Sequence, residues 1–445
     1  MIGMPAIVQA KLAHSPLMRR FLGSAAWSVL GSMISGSITL VMSMLVARLV
    51  GKEIYGQFVI IQSTLNMVGI FAGFGMGETV IRYSAALRLR DPARLGQVLA
   101  LAERAVLGFG LIVTLGLILV SRWIATHTLN TPDLSRPLTI AAGAVFFATV
   151  DSYQKSVLIG FESMRAFVIS TMIGVTAGFP IMLWAAKYHG LKGITIAIVL
   201  NTFLQASISR YQMRRELSQF RVKHNVKGCL NEWPILWNFA SPALLASIVV
   251  SSAYWIVQAL LANTPNGYTE LAILGIALQW LNIIMFIPGT AGRVVLPILT
   301  DYITNLDHSN SRKILLYAMS TNALFAVPLA VIIGTLSPYI MSLYGKNFEN
   351  DYIPLILATT TAMLIAIQTP AGSLLAASSR MWLGTLMNGG WAIIYIGLAF
   401  LLVDKGATGI MIALVSGYIA NAIWLSYFIF KEIGKTNNYG IADES

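Results

Sequence analysis

The chain has 445 residues, of which 56% are hydrophobic and 11% are charged, with a mean hydropathy of +0.72 and a net charge of +12. A soluble domain usually carries about 25% charged residues, so this composition excludes a water-soluble protein of this length. The basic residues lie between apolar segments and form no single basic domain, which argues against a nucleic-acid partner.

Apolar runs long enough to cross a bilayer recur along the whole chain. In chain order they lie near residues 22–47, 57–77, 97–120, 138–160, 167–188, 194–209, 235–262, 271–295, 315–336, 353–376, 383–403 and 407–430. Because a spanning helix needs about 20 apolar residues, these runs predict an all-α polytopic membrane protein of about twelve transmembrane helices.

The lysines and arginines between the spans are distributed unevenly. If the N-terminus lies in the cytoplasm, most of the 30 lysines and arginines fall in cytoplasmic tails and loops, as the positive-inside rule requires. This bias predicts an even number of spans with both termini in the cytoplasm.

The longest basic connection, residues 210–233, lies in the middle of the chain. The predicted organisation is therefore a cytoplasmic tail (1–20), a six-helix lobe (21–212), a basic cytoplasmic linker (213–233), a second six-helix lobe (234–431) and a second tail (432–445). Residues 55–85 also align with residues 271–301 at an offset of 216, with Gly73 on Gly289. Such internal repeats are common in transporters.

Small and helix-breaking residues mark candidate contacts and hinges. Three glycines of the second span are spaced four apart and predict close approach of a neighbouring helix: Gly69, Gly73 and Gly77. Pro242 and the Pro288–Gly289 pair interrupt apolar runs, and proline kinks a helix by removing a backbone donor. They are hinge candidates, with a static kink as the alternative.

Four charged residues fall well inside predicted spans, away from their ends: Glu103, Arg104, Asp151 and Lys155. A charge near the bilayer centre costs about 2.5–3.5 kcal/mol on insertion scales and therefore usually faces protein or a wet cavity. Asp151 and Lys155 are four apart, so they can pair with each other or form a polar stripe with Arg104. We expect Arg104, Asp151 and Lys155 to line a substrate cavity, with structural pairing as the alternative. Glu103 and Asp151 are the candidates for coupling H⁺ or Na⁺.

Arginines also stand near the ends of predicted spans, at Arg48, Arg82 and Arg293. Arginine stays charged and grips phosphate through a planar fork, so a cavity lined by such residues suits an anionic pyrophosphate head group. Anchoring at the membrane interface is the alternative for each of them.

Enzymatic motifs are missing from the sequence. It contains no GxxxxGK[ST], HExxH or GxSxG pattern, and its outer loops are short. We therefore expect neither an enzyme nor a bound cofactor. A membrane acyl- or glycosyltransferase, the enzymatic alternative, would need an interfacial catalytic residue and a large outer loop.

The stretch ARLVGKEIYGQF at residues 47–58 resembles a segment of the polysaccharide (O-antigen) flippases, within the multidrug/oligosaccharidyl-lipid/polysaccharide exporter superfamily. In that family a similar stretch closes the first helix and opens the second. The GFGMG run at 73–77, the IRY step at 81–83 and the FIPG run at 286–289 are similar to the family as well.

The resemblance implies two six-helix lobes around a central cavity and transport by alternating access. It implies a substrate of undecaprenyl-pyrophosphate-linked oligosaccharide units, for O-antigen of lipopolysaccharide or another surface polysaccharide, moved from the cytoplasmic to the periplasmic leaflet of the bacterial inner membrane. It places Arg48, Arg82 and Arg293 at motif positions. The expected partners are this lipid-linked substrate, membrane lipid and other polysaccharide assembly proteins, and the expected state is a monomer.

Two related functions are the alternatives to this one. A cation-coupled drug antiporter of the same superfamily would need cavity carboxylates, for which Asp151 and Glu103 are the candidates. A peptidoglycan-precursor flippase would usually carry helices beyond twelve.

Overall fold

The computed structural model describes residues 16–73, 75–220, 222, 229, 233–304, 308–378 and 381–437. Helices with short connecting turns make up these ranges, and no strand occurs within them. The predicted all-α class is confirmed.

The helices before the central connection are α1 (Pro16–Gly73), α2 (Met76–Leu87), α3 (Pro92–Trp123), α4 (Ser135–Gly160) and α5 (Met164–Gln219). Those after it are α6 (Trp233–Ala262), α7 (Gly267–Thr304), α8 (His308–Thr335), α9 (Ser337–Tyr344), α10 (Ile353–Ala377), α11 (Met381–Leu402) and α12 (Gly406–Asn437). Helix α5 reaches Gln219, inside the range predicted as a linker.

Two long helices are broken at glycines. In α1, Gly51 has φ 79° and ψ 173°, and in α5, Gly190 has φ 54° and ψ −137°. Positive φ is a conformation that glycine adopts without the steric penalty of a Cβ. We call the segments before and after these breaks α1a and α1b, and α5a and α5b. A Cβ on Gly193 would lie 2.3 Å from the carbonyl oxygen of Ala185, so the chain packs closely on itself at the second break.

Seven helical stretches of the described residues are long and apolar enough to cross a membrane. Three of them, of 44, 56 and 46 residues, exceed twice the about 20 residues that one crossing requires. They contain the positive-φ glycines Gly51, Gly190 and Gly406. The multi-span class is therefore confirmed, and the count of twelve stays a prediction.

The internal repeat extends through the helices. Helix α3 begins at Pro92 and α8 begins at His308, which is 216 residues later. The same shift superposes the turn glycines, Gly51 on Gly267, Gly190 on Gly406 and Gly193 on Gly409. The offset first visible between residues 55–85 and 271–301 therefore also relates the turns that join later helices.

The described contacts divide the chain into two compact units. Unit 1 comprises Met1–Val46, Val68–Ala125 and Pro132–Leu244, and unit 2 comprises Ala47–Met67, Thr126–Thr131 and Leu245–Ser445. Unit 1 has a core of residues such as Leu99, Val157 and Phe161, contributed by α3 and α4. The lobe boundaries inferred from the sequence stay predictions.

The glycine prediction is wrong for two of its three residues. A Cβ on Gly69 or Gly73 would meet no atom of the described residues within 4 Å, whereas one on Gly77 would lie 3.2 Å from the Ser156 hydroxyl. A much closer approach occurs in α1b, where a Cβ on Gly56 would lie 1.7 Å from the carbonyl oxygen of Tyr268. The spacing of four showed that the three glycines share a helix face, but it did not show which glycines a neighbouring helix approaches closely.

Candidate functional site

The two charged residues predicted on α4 form an ion pair. Lys155 Nζ lies 2.7 Å from Asp151 Oδ2, and the two side chains are only 17% and 12% exposed. Their spacing places them one helical turn apart on the same face. Of the two arrangements that the spacing allowed, the pairing of Asp151 with Lys155 is present. The cavity role of the pair stays a prediction.

Helix α5b supplies two further partners that sequence reasoning missed. The Ser209 hydroxyl donates to Asp151 Oδ1 at 2.6 Å, and Lys155 Nζ donates to Gln205 Oε1 at 3.1 Å. We call Asp151, Lys155, Gln205 and Ser209 the polar seam. The signal was present in the sequence, because Gln205 and Ser209 are four apart within an apolar span.

Small residues of α5a make room for this seam. A Cβ on Gly174 would lie 2.4 Å from Gln205 Cγ, and one on Gly178 would lie 2.3 Å from Asn201 Oδ1. Glycine at these positions lets α5b bring long polar side chains against α5a, as small residues do in membrane helix packing.

Two amide oxygens on the helices of the seam are buried without a hydrogen-bond partner in the described part of the chain. They are Gln154 Oε1 on α4 and Asn201 Oδ1 on α5b. A buried unsatisfied acceptor costs about 1–3 kcal/mol, so a ligand or water that donates a hydroxyl proton would be favoured here. Helices α4 and α5b thus carry an ammonium group, a carboxylate and two amide oxygens that can accept hydrogen bonds from a ligand.

The other charges predicted inside a span lie on α3. Glu103 Oε1 is 3.8 Å from Arg210 Nη2. Arg104 is exposed, and its Nη1 donates to Cys229 Sγ at 3.4 Å. The hydrogen bond of Arg104 thus points to Cys229, and the stripe proposed for Arg104, Asp151 and Lys155 stays a prediction.

The arginines at the family motif positions fall in different surroundings. Arg48 belongs to unit 2, where it is exposed and its Nη2 donates to the carbonyl oxygen of Ser342 at 3.4 Å. Arg82 lies exposed on α2 in unit 1. Arg293 lies on α7, and its side chain is outside the described residues. The cavity role predicted for these three residues stays a prediction.

The hinge candidates lie within continuous helices. Pro242 is part of α6, where its side-chain surroundings are outside the described residues. Pro288 is buried and Gly289 is exposed, and α7 runs through both. Their role as hinges stays a prediction.

Unit 2 contains an aromatic cluster that sequence reasoning also missed. The ring of Trp391 stacks on Tyr395, with centroids 5.4 Å apart, and lies 5.6 Å from Tyr254 and 5.3 Å from Tyr418. Trp391 Nε1 and the Tyr395 hydroxyl are buried without a hydrogen-bond partner among the described residues. We call Tyr254, Trp391, Tyr395 and Tyr418 the aromatic cluster.

Metal ligation finds no support in the described ranges, where no group of three or more His, Cys, Asp or Glu side chains is close enough to hold an ion.

Comparison with known proteins relates the whole chain to membrane transport. EPS I polysaccharide export inner membrane protein EpsE of Ralstonia solanacearum is 21% identical over 433 residues, which cover 92% of this chain and 94% of that protein.

Two solved structures share the fold. The inward-facing conformation of a multidrug resistance MATE family transporter of the MOP superfamily has a TM-score of 0.75 at 13% identity, covering 93% of this chain and 99% of that one. Lipid II flippase MurJ, in an inward closed conformation, has a TM-score of 0.70 at 16% identity, covering 90% of this chain and 87% of that one. At these identities the two structures establish the fold alone.

The model of one family, described as polysaccharide biosynthesis protein, matches residues 21–303. This match takes in α3, α4 and α5, which carry the polar seam, and more than half of the chain. The protein therefore belongs to the polysaccharide biosynthesis protein family.

Proposed function

We propose that the protein is a flippase that moves lipid-linked oligosaccharide units from the cytoplasmic to the periplasmic leaflet of the bacterial inner membrane. The observation that carries the proposal is the family match over residues 21–303, in a chain whose fold is that of transporters and of a flippase. The proposal makes the protein a transporter and not an enzyme. The proposal adds the cargo, undecaprenyl-pyrophosphate-linked repeat units for O-antigen or another surface polysaccharide, and alternating access as the mechanism.

The polar seam suggests how an anionic head group is held. Lys155 is a cation in an apolar helix, and its counter-ion is the carboxylate of Asp151 at 2.7 Å. A phosphate oxygen can take the place of that carboxylate, because an ammonium binds either anion. Ser209 then holds the released Asp151 by its hydrogen bond of 2.6 Å. The unpartnered oxygens of Gln154 and Asn201 can accept hydrogen bonds from sugar hydroxyls.

Coupling to an ion fits the same group. A proton or Na⁺ that binds Asp151 would compete with Lys155 for the carboxylate and release the ammonium for the cargo. Glu103, 3.8 Å from Arg210, is the second candidate for this role. We propose a monomer with no cofactor beyond the coupling ion.

The drug antiporter of the same superfamily is the second candidate, favoured by the fold it shares with a multidrug resistance transporter. Its cation would need an unneutralised carboxylate. Asp151 and Glu103 each have a basic partner, at 2.7 Å and 3.8 Å, which lowers their attraction for a second cation. The charge pattern of the described helices therefore favours an anionic cargo.

The test is genetic and chemical together. The gene is deleted in its host, lipid-linked intermediates are extracted, and the leaflet that holds them is determined. The proposal predicts that oligosaccharide-pyrophosphoryl lipid accumulates in the cytoplasmic leaflet and that surface polysaccharide is lost. Normal surface polysaccharide together with raised sensitivity to cationic dyes would contradict the flippase and favour the antiporter.

A further inference from the structure

Helix α5b continues past the end of its predicted membrane span. The apolar run that predicts the span ends near residue 209, whereas the helix ends at Gln219. An α-helix rises about 1.5 Å per residue, so residues 210–215 lie within about 9 Å of the end of the span. The head-group layer on each side of a bilayer is about 5–7 Å thick. Most of these residues therefore stand at the depth of lipid head groups.

One side of this extension is buried in unit 1. Ser209, Met213 and Leu217 recur every four residues, and each is at most 5% exposed. Met213 and Leu217 belong to the apolar core of unit 1, which also contains Phe161. Just beyond the helix, the ring of Phe220 lies 4.9 Å from that of Phe161. The extension is therefore a packed part of unit 1.

The opposite side of the extension is exposed and basic. At about 100° per residue, Tyr211, Arg214 and Arg215 lie on the side of the helix away from Met213. All three are exposed, and the exposed fraction of Tyr211 is 68%. Arg210 is exposed as well. We call Arg210, Tyr211, Arg214 and Arg215 the basic face.

The carboxylates near the basic face have other partners. Glu216 accepts a hydrogen bond from the Ser163 hydroxyl at 2.7 Å. Glu103 lies 3.8 Å from Arg210. Within the described ranges no carboxylate forms an ion pair with the other two arginines of the basic face. The protein thus leaves these two positive charges for an anion that comes from outside.

The composition of the basic face matches the chemistry of an anionic phospholipid. Arginine binds phosphate through its planar fork. Tyrosine is enriched at the membrane interface, where its ring meets apolar chains and its hydroxyl meets water. Basic residues directly beyond a span are attracted to anionic lipids. An acidic protein would be attracted by the same charges but would gain nothing from their position at head-group depth.

We propose that the basic face of α5b binds the head groups of anionic phospholipids, with their phosphates on Arg214 and Arg215 and the ring of Tyr211 at the interface. Helix α5b also carries Gln205 and Ser209, so the bound lipids hold the helix that supplies two of the four side chains of the polar seam. Lipid binding itself is independent of the cargo, and only the transport readout below rests on the proposed function.

The binding test follows the thermal midpoint of the purified protein in a neutral detergent during titration with phosphatidylglycerol or phosphatidylcholine. A ligand that binds the folded state raises this midpoint. Phosphatidylglycerol should raise it in the wild-type protein. In the variant Arg214→Gln with Arg215→Gln, the concentration that gives half of the shift should rise at least about tenfold, because each basic residue near an anionic surface contributes about fivefold.

The matched control is Lys187→Gln with Lys192→Gln. These two lysines are also exposed on α5, close to the break at Gly190, and their replacement removes the same charge. This control should respond to phosphatidylglycerol as the wild-type protein does. The charge-preserving variant Arg214→Lys with Arg215→Lys should bind more tightly than the double glutamine variant.

Two results of the binding test would overturn the proposal. One is an unchanged response to phosphatidylglycerol in the double glutamine variant. The other is a wild-type response of the same size to phosphatidylcholine or to inorganic phosphate, which would indicate a general lipid effect or a simple anion site.

The transport readout uses liposomes of phosphatidylcholine with and without phosphatidylglycerol. Flipping of a pyrophosphate-linked oligosaccharide lipid by the wild-type protein should rise severalfold with phosphatidylglycerol, and flipping by the double glutamine variant should not. Loss of export in cells by that variant, with a normal lipid response of the purified protein, would contradict the lipid site and favour an acidic protein partner. Failure of the flippase proposal alone would abolish flipping in every liposome and leave the thermal response intact.

Discussion

The polar seam of unit 1 and the aromatic cluster of unit 2 share one pair of helices that the shift of 216 residues relates to each other, α5b and α12. The seam joins α4 to α5b, and the cluster joins α11 and α12 to α6. The positions that correspond to the seam are Ile367, Ala371, Asn421 and Leu425, and those that correspond to Trp391, Tyr395 and Tyr418 are Val175, Phe179 and Thr202. The two halves share a helix order, but the second half carries no charge at the four positions that correspond to the seam.

A feature found in only one half is not needed to build the helix arrangement that both halves share, so it is a candidate for a role in transport. Ring contacts such as that of Trp391 with Tyr418, 5.3 Å between centroids, join α11 to α12 without any charge. The Asp151–Lys155 pair is not needed for the same helix contact, because its counterparts in the second half are apolar. A charged pair inside a membrane is expensive and marks function by default. We therefore propose that the seam handles the cargo and that the cluster attaches helices to one another.

The largest expected effect is on export. Asp151→Asn with Lys155→Gln removes both charges but keeps side-chain size and hydrogen-bonding groups, so the variant should reach the membrane at the wild-type level. Its export of surface polysaccharide should fall at least about tenfold, the equivalent of 1.4 kcal/mol. The control is Ile367→Ala, at the position of Asp151 in the second half, which should export normally. Normal export by the double variant would show that the charges of Asp151 and Lys155 have only a structural role.

A second comparison concerns stability. Asp151→Ala alone leaves Lys155 without its counter-ion in a mostly buried site, and such a loss costs about 3–5 kcal/mol. The thermal midpoint of the purified protein in detergent should fall, and the double variant that removes both charges should recover most of it. If the single and double variants have the same thermal midpoint, the two charges do not stabilise the protein through their interaction with each other.

The glycines beneath the seam give a smaller effect. A Cβ on Gly178 would lie 2.3 Å from Asn201 Oδ1, so Gly178→Ala should displace that amide and lower export severalfold. A Cβ on Gly397, in α11, would meet nothing within 4 Å. Gly397→Ala should therefore leave export unchanged and, by helix propensity, raise stability by up to about 1 kcal/mol. Equal loss of export by both variants would contradict the assignment of cargo handling to the first half.

The smallest effect is expected in the aromatic cluster. The Tyr395 hydroxyl is buried without a partner among the described residues, so Tyr395→Phe removes a polar group that only destabilises. The thermal midpoint should stay the same or rise, by up to the about 1–3 kcal/mol that an unsatisfied group costs. Export should be unchanged. A loss of export with an unchanged midpoint would show that this hydroxyl serves the cargo and would break the division between the two regions.

Local patterns predicted part of this account. Apolar runs of bilayer length predicted the helical, multi-span class, and a spacing of four predicted the contact of Asp151 with Lys155. Both follow from the geometry of one helix, which the sequence contains in full.

Contacts between helices were predicted less well. Gln205 and Ser209 lie about fifty residues from their partners, and no local spacing connects them to α4. The same limit explains Gly69 and Gly73, whose spacing shows that they share a face but not what that face meets. Arg48 was singled out through a family-like stretch, while its partner Ser342 lies in the other half of the chain.

The most direct measurement is flipping by the purified protein. The protein is reconstituted in liposomes with a pyrophosphate-linked oligosaccharide lipid, and a membrane-impermeant sugar-modifying reagent reports the fraction in the outer leaflet over time. The account predicts rapid exchange between leaflets with the wild-type protein and none with Asp151→Asn combined with Lys155→Gln. Exchange no faster than in protein-free liposomes, with protein that is folded and inserted and with an ion gradient imposed, would contradict the account.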